Sequence, residues 1–357
     1  MNTSEQKLKS IIGCILGTAV GDALGLPCEA LSKRRQAKLF PSLDGYHFFF
    51  KKGMVSDDTE HTCFVASAII ASAGDEKLFR QHLSWKLRLW LLCLPGGIGF
   101  ATLRAILKLL IGFASDRSGV FSAGNGPAMR SAILGVYFGH NPVKLQALVK
   151  ASTRITHTDP KAEFGAMAVA WAAYLSSQNQ NVTPEFFRES LYEILSESDA
   201  YEFKALINRV VKSIESGQST QEFAESCGLD KGVTGYIYDT VPVAIHAWLR
   251  HQNNFHAGIT EVIRCGGDTD TTAAIVGAII GASVGAEGIP NHLKENLLEW
   301  PCSLNWMERL GKQLFEVIET GKSQSPLSIN PFSIFVRNLF FISVIAMHVV
   351  RRLFPPF

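Results

Sequence analysis

The chain has 357 residues, 47% of them hydrophobic and 18% charged, which supplies a large buried core and argues against disorder. A formal charge of +2 argues against a general nucleic-acid binder, and no stable nucleic-acid partner is expected. The seven cysteines (Cys14, Cys28, Cys63, Cys93, Cys227, Cys265 and Cys302) form no CxxC pair and mostly lie in apolar runs, as reduced core thiols do. The N-terminus "MNTSEQKLKSIIGCILG" lacks a basic stretch followed by a clean apolar block. No signal peptide and a reducing, cytoplasmic setting are therefore expected.

Leu8, Ile11, Ile12, Ile15, Leu16, Ala19 and Val20 recur at helical spacing, predicting a first helix that runs into "GDALGLPCEA", where Pro27 interrupts it. "LFPSLDGYHFFFKKG" reads as an irregular aromatic connection with one short extended piece. "SDDTEHTCFVASAIIASAG" reads as a helix capped by Asp57, with Glu60 three residues on. A basic apolar segment over about residues 85–118 is split by Pro95 and the glycines after it. Helices also fit "GPAMRSAILGVYFG" with Pro127 in its first turn, "KAEFGAMAVAWAAYLSS" opened by Asp159 and Pro160, and "VPVAIHAWLRH". Alternating β-branched runs are nearly absent, so the body, residues 1–320, is expected to be one all-α domain.

Residues 321–357 differ: a linker, "TGKSQSPLSIN", precedes "PFSIFVRNLFFISVIAMHVVRRLFPPF". The unbroken apolar core of that segment, Leu339 to Met347, is shorter than the roughly 18 residues of a spanning helix. Three readings stand side by side: a helix docked on the body or on a second copy, a peripheral helix at a membrane surface, and a tilted span.

Two helix starts carry more acid than a helix start needs. "SDDTE" places Asp57 and Asp58, and "GGDTDT" places Asp268 and Asp270, in the first turn of an apolar helix. Capping uses one such side chain. The surplus carboxylates are interleaved with the hydroxyls of Ser56, Thr59, Thr269 and Thr271. Carboxylate and hydroxyl oxygens suit hard cations such as Mg²⁺ or Mn²⁺, whereas zinc calls for His or Cys at ligand spacing. Four carboxylates brought together would also raise one another's pKa, and a divalent pair is the natural compensation. Gly277, Gly281 and Gly285, four residues apart, predict a helix face that another helix approaches closely.

"GDALGLPCEA", "SDDTEHT", "SAGNGPAMRSAILG", "THTDPKAEFGA", "GYIYDTVPVAIHAWLRH" and "CGGDTDTTAAIVGA" stand in the order found in the ADP-ribosylglycohydrolase family, which the chain resembles from about residue 8 to residue 300. The resemblance implies a compact, orthogonal multi-helix all-α fold with a binuclear Mg²⁺ or Mn²⁺ site at helix N-termini. It implies cleavage of the glycosidic bond between ADP-ribose and an acceptor. It places one metal-ligand triplet on Ser56, Asp57 and Asp58, and the other on Asp268, Asp270 and Thr271. It places a catalytic carboxylate on Glu29, with Asp58 or Asp270 assisting as base. It sets Gly124, Asn125, Gly126, Met129, His157 and Tyr236 along the bound ADP-ribose, with the backbone of "SAGNGPAM" receiving the diphosphate.

One departure bears on the substrate. Where the arginine-directed branch carries an acidic residue shortly before the GNG, this chain has Ser122 and Ala123, which speaks against an arginine-linked acceptor. The segment at about residues 85–118 has no counterpart in the family pattern and is a candidate for shaping the acceptor side. Asp22 is a candidate structural residue, holding a neighbouring helix end or a hydroxyl. A catalytically silent binding or structural descendant of the family is the alternative, although such a protein has no need of intact carboxylates at both helix starts.

Overall fold

The computed structural model describes residues 4–178, 180–195 and 198–355. Its α-helices, in chain order, are α1 (Ser4–Gly25), α2 (Lys33–Leu39), α3 (Asp57–Ser72), α4 (Glu76–Leu92), α5 (Phe100–Leu110), α6 (Gly126–Met129), α7 (Ala132–Phe138), α8 (Pro142–Arg154) and α9 (Pro160–Ser177). Then come α10 (Pro184–Ile194), α11 (Tyr201–Glu215), α12 (Thr220–Ser226), α13 (Ile237–Arg250), α14 (Phe255–Arg264), α15 (Thr269–Val284), α16 (Asn291–Glu295), α17 (Leu304–Thr320) and α18 (Pro331–Arg351). Among the described residues no named strand occurs, only isolated bridges between loops. The fold is all-α, as the patterning predicts.

Three helices, α1, α9 and α15, are apolar around nearly their whole circumference and form the centre. Helices with one apolar stripe, such as α11, α14 and α17, surround them. The contact between α1 and α15 is antiparallel and glycine-lined. A Cβ built on Gly13, Gly17 or Gly21 would stand 2.0, 2.1 or 2.2 Å from the carbonyl oxygen of Gly281, Gly277 or Ala273. Backbone therefore meets backbone along successive turns, and the small-residue face predicted on α15 finds its partner in α1. The pairing also sets the last turn of α1 beside the first turn of α15, where Thr269 donates from Oγ1 to the carbonyl of Gly25 at 2.9 Å.

Several expectations are corrected in detail. Ser56, not Asp57, is the N-cap of α3, its Oγ accepting from the N–H of Asp58 at 3.3 Å. Glu60 makes no capping box; its carboxylate accepts from Trp90 Nε1 at 2.6 Å. The helix expected over "GPAMRSAILGVYFG" breaks between Met129 and Ala132 into α6 and α7. Helix α13 begins earlier than "VPVAIHAWLRH", at Ile237, and carries Pro242 in its interior.

Helices α1 and α18 are each long and apolar enough to cross a membrane by length and composition. The first is instead the centre of the body. The second lays one face on it, burying Arg337, Asn338, Phe341 and Val344. Arg337 pairs with Glu299 through two contacts of 2.8 Å and approaches Glu60 at 3.7 Å. Asn338 donates to the carbonyl of Cys93 at 2.9 Å. The opposite face of α18 leaves Leu339, Ile342 and Val350 exposed.

Candidate active site

Asp22, in the last turn of α1, does the work that capping would ask of the acids on α3. Its carboxylate accepts from the backbone N–H of Ser56 at 2.9 Å, from that of Thr59 at 3.2 Å and from Thr59 Oγ1 at 2.5 Å. Asp57 and Asp58 are thereby released from the helix end. The same holds at α15, where Asp268 occupies the N-cap position without a side-chain cap bond. Its Oδ2 accepts instead from Asn125 Nδ2 at 2.7 Å. The N-cap aspartate of "GGDTDT" is thus free of the helix end, while Asp270 Oδ1 accepts the first-turn N–H of Thr271 at 3.0 Å.

The two helix starts, more than two hundred residues apart in sequence, meet. Thr271 Oγ1 of α15 donates to Asp58 Oδ2 at 3.3 Å, and Ser56 Oγ donates to the same oxygen at 3.0 Å. The other oxygen, Asp58 Oδ1, is buried with no hydrogen-bond partner. Asp57 and Asp268 are half-buried, while Ser56, Asp58, Asp270 and Thr271 are buried. Burial first, then mutual repulsion, holds the carboxyls of Asp57, Asp58 and Asp270 well above the usual carboxylate range. Asp22 is pushed up to about 7, chiefly by burial, against the hydrogen bonds it accepts.

Such a cluster lacks positive charge. Among the described residues no three His, Cys, Asp or Glu side chains stand as a ready-made metal cage. The donors come as carboxylates completed by the hydroxyls of Ser56 and Thr271, an oxygen-only set with one orphaned buried acceptor. Its chemistry fits a hard divalent cation.

Glu29 follows the short 3₁₀ turn Leu26–Cys28 that Pro27 initiates at the end of α1. The loop is tied to the other helix start, since Ala30 N–H donates to the carbonyl of Gly267 at 2.9 Å. The Glu29 side chain is exposed at the rim yet crowded. Desolvation and Asp268 raise its carboxyl, against the pull of Arg352.

On the Asp268 side lies the glycine turn. Gly124 pairs with Tyr236 in an isolated antiparallel bridge, and Asn125 N–H donates to the carbonyl of Gly235 at 2.9 Å. Gly124 N–H is held by Ser122 Oγ at 3.3 Å. These two N–H groups hold the turn and are not available to an anion, which narrows the expectation that this backbone receives a diphosphate. His157 lies directly beneath: a Cβ on Gly124 would come within 3.0 Å of its Nε2, and one on Gly126 within 3.3 Å of its Cε1. The imidazole is neutral, its pKa pushed down to about 3 by burial and by Arg130. Tyr236 stands half-buried at the start of α13, its hydroxyl accepting from Lys161 Nζ at 2.9 Å. Met129 is buried, and its carbonyl accepts from Thr62 Oγ1 of α3 at 3.2 Å.

Two residues have roles here that the sequence did not reveal. Asn125 does more than turn the chain, because its amide is the direct partner of Asp268 and of Thr240 Oγ1 at 3.0 Å. Arg130 is fully buried and donates to the carbonyl of Ser152 at 2.9 Å and to Thr156 Oγ1 at 2.7 Å. Thr156 Oγ1 in turn lies 2.9 Å from His157 Nδ1, so the arginine fixes the ring under the glycines. A charge inside the apolar run "AMRSAILG" was the available signal.

Known proteins share this arrangement of elements. The family model described as ADP-ribosylglycohydrolase matches residues 3–324. The ADP-ribosyl-[dinitrogen reductase] glycohydrolase of Rhodospirillum rubrum is 25% identical, over 78% of this chain and 87% of its own length. The ADP-ribosylhydrolase ARH3 of Gallus gallus is 28% identical, over 78% of this chain and 86% of its own. A solved structure, an ADP-ribosylglycohydrolase-related protein complex, superposes with a TM-score of 0.64 at 25% identity, covering 88% of this chain and 99% of that one. With the motifs, the helical body and the family match in agreement, the chain belongs to the ADP-ribosylglycohydrolase family, hydrolases that act on the glycosyl bond of ADP-ribose linkages.

Proposed function

We propose that the chain is a metal-dependent hydrolase that frees ADP-ribose from an acceptor, using two Mg²⁺ or Mn²⁺ ions. The observation that carries this reading is the meeting of the two acidic helix starts through Thr271 and Asp58, with Asp58 Oδ1 buried and unpartnered. Ser56, Asp57 and Asp58 would hold one ion, and Asp268, Asp270 and Thr271 the other. Divalent ions there would supply charge stabilisation to the distal ribose hydroxyls and make a bound water more acidic.

The remaining work falls to the chain's own residues. Gly124 and Gly126 keep the ADP-ribose side free of Cβ atoms, and Asn125 orients Asp268 while it does so. Tyr236 lines the same side. Glu29, with its carboxyl raised, stands where a proton can be held at the acceptor's leaving atom, and Asp58 or Asp270 can take one from the attacking water. This differs from two-carboxylate glycosidase chemistry, in which free acids flank the bond.

The test is incubation with arginine-, serine- and nucleic-acid-linked ADP-ribose, with Mg²⁺ and with chelator. Release of ADP-ribose from at least one substrate is expected, abolished by chelator and reduced about 100-fold or more in Asp58→Asn and Asp270→Asn. No release from any of them refutes the reading.

A further inference from the structure

The family match ends at residue 324, yet the space beside the carboxylates is closed by α18, which lies beyond that residue. A cavity of about 150 Å³ has Glu29, Asp57 and Asp270 on one side and Phe341, His348 and Arg352 on the other. Gly96 and Gly97, from the turn between α4 and α5, complete its edge. The residues of the glycine turn do not line it.

The wall is fastened along its length. Arg337 donates to the carbonyl of Val55 at 2.5 Å, next to the cap residue of α3. His348 Nε2 donates to the carbonyl of Phe48 at 2.6 Å, and its ring stacks on Phe48 at 5.0 Å. Arg352 donates from NH2 to the carbonyl of Glu29 at 2.8 Å, while its own carbonyl accepts from Arg35 at 2.6 Å. The last turn of α18 is thus bound to the loop that carries the candidate proton donor.

Resting on the function proposed above, the two sides of the carboxylates have different occupants. With ADP-ribose along the glycine turn, the acceptor lies in the cavity under α18. We propose that this cavity is an acceptor subsite that takes a small anionic group, a phosphate or carboxylate, with Arg352 as its specificity-determining residue. Arg352 is the lysine- or arginine-type cation among the lining residues, and the Nε2 of His348 is engaged by the carbonyl of Phe48. A guanidinium recognises an oxyanion by charge-assisted hydrogen bonds and repels a second guanidinium. The volume admits a group of a few heavy atoms. The absence of an acid at Ser122 and Ala123 points the same way, away from an arginine acceptor.

For a phosphate acceptor the reaction is hydrolysis of ADP-ribose 1″-phosphate. The C1″–O bond to phosphate breaks, the oxygen of water adds at C1″, and one proton of that water ends on the released phosphate. Steady-state kinetics on ADP-ribose 1″-phosphate, ADP-ribosyl-serine peptide and ADP-ribosyl-arginine, in Mg²⁺, test the subsite with wild type, Arg352→Ala and Arg352→Lys. The wild type is expected to favour the phosphate over the arginine substrate. Arg352→Ala should lower the phosphate-over-serine ratio about 10-fold, through KM rather than kcat, and Arg352→Lys should recover most of it. An equal loss on all substrates would show that Arg352 only holds the Glu29 loop, and would overturn the proposal. So would a wild-type preference for arginine. If the wild type turns over none of the three and releases no ADP-ribose from the nucleic-acid-linked substrate either, the hydrolase reading fails by itself. Calorimetric titration of inorganic phosphate into wild type and Arg352→Ala then decides the subsite, which stands only if the substitution weakens binding.

Discussion

Gly17→Ala adds a single carbon where α1 meets α15, and its consequence can be worked out from the backbone. The new Cβ would stand 2.1 Å from the carbonyl oxygen of Gly277 and 3.2 Å from the Cα of Gly281. Ordinary contact begins at about 3.4 Å, so the helices must part by more than about 1 Å. Neither neighbour is a side chain that can turn away. Overpacking a close core costs about 1–3 kcal/mol when side chains can adjust, and here separation also loosens the flanking turns at Gly13 and Gly21. Ala offsets about 1 kcal/mol through its higher helix propensity. The net loss expected is about 1–2 kcal/mol, the rigid backbone contact and the loosened turns placing the cost at the upper end of the overpacking range before the propensity gain is subtracted.

The effect reaches the site, because α1 ends in Asp22 and Gly25 while α15 begins in Asp268 and Asp270. Parting the helices separates the group that orders the start of α3 from the second carboxylate pair. Urea unfolding monitored by circular dichroism, in chelator and in Mg²⁺, reads both consequences. Gly17→Ala should lower the midpoint in chelator and gain less from Mg²⁺ than the wild type. Gly45→Ala is the control, since a Cβ there meets nothing within 4 Å, and it should change stability by less than about 0.5 kcal/mol. A Gly17→Ala protein that unfolds with the wild type would refute backbone contact as the reason for glycine.

Two further outcomes concern buried charges. Arg337→Ala leaves Glu299, 3% exposed at its side chain, without its bidentate partner, and should cost about 3–5 kcal/mol in urea unfolding; a loss below about 1 kcal/mol would mean that α18 is not held by this pair. His246 is buried between Ser213 and Thr220 and stacked on Phe223, with Arg250, His251 and Glu261 as the charged groups facing it. Burial pushes its pKa down from 6.5 to about 4. The unfolded chain therefore takes up a proton between those values that the folded one refuses. Stability is full above pH 6.5 and falls as pH drops towards 4, by up to about 3 kcal/mol. His246→Gln should flatten the unfolding midpoint over that window, and an unchanged slope would remove His246 as its source.

The helices that read most clearly are those whose pattern is local. α1 announces itself by apolar spacing, α3 and α15 by polar starts on apolar bodies, and α9 by Asp159 and Pro160. The outer helices α10, α11, α12 and α14 lie between the motifs and carry weaker local signals, although Ser219 and Glu222 form a capping box of the expected pattern. At the site, residue types were legible and their division of labour was not. Two aspartates at the start of α3 suggest one cap and one spare; the structure caps that helix from Ser56 and from Asp22 on another helix instead, whereas at α15 it is the second aspartate, Asp270, that takes a first-turn N–H. That assignment depends on the α1–α15 contact, and the stagger of Gly13, Gly17 and Gly21 against Gly281, Gly277 and Ala273 is a property of two segments together.

The tail shows the same limit from the other side. Its composition leaves a docked helix, a surface helix and a span open, because apolar residues alternate with too few charges to fix a face. What decides in the structure is where those charges find partners. Arg337 reads in sequence as a flanking cation, yet it is 2% exposed and paired with Glu299, a residue that no motif singles out. Arg352 reads as another flank, yet it reaches the Glu29 loop. Burying an arginine without a counter-charge is costly, so the position of Glu299 and Glu60 on the body selects the face that α18 turns inward. That face brings Phe341, His348 and Arg352 over Asp57 and Asp270. The wall over these carboxylates is therefore set by a helix beyond the family match, through an ion pair whose two ends lie 38 residues apart.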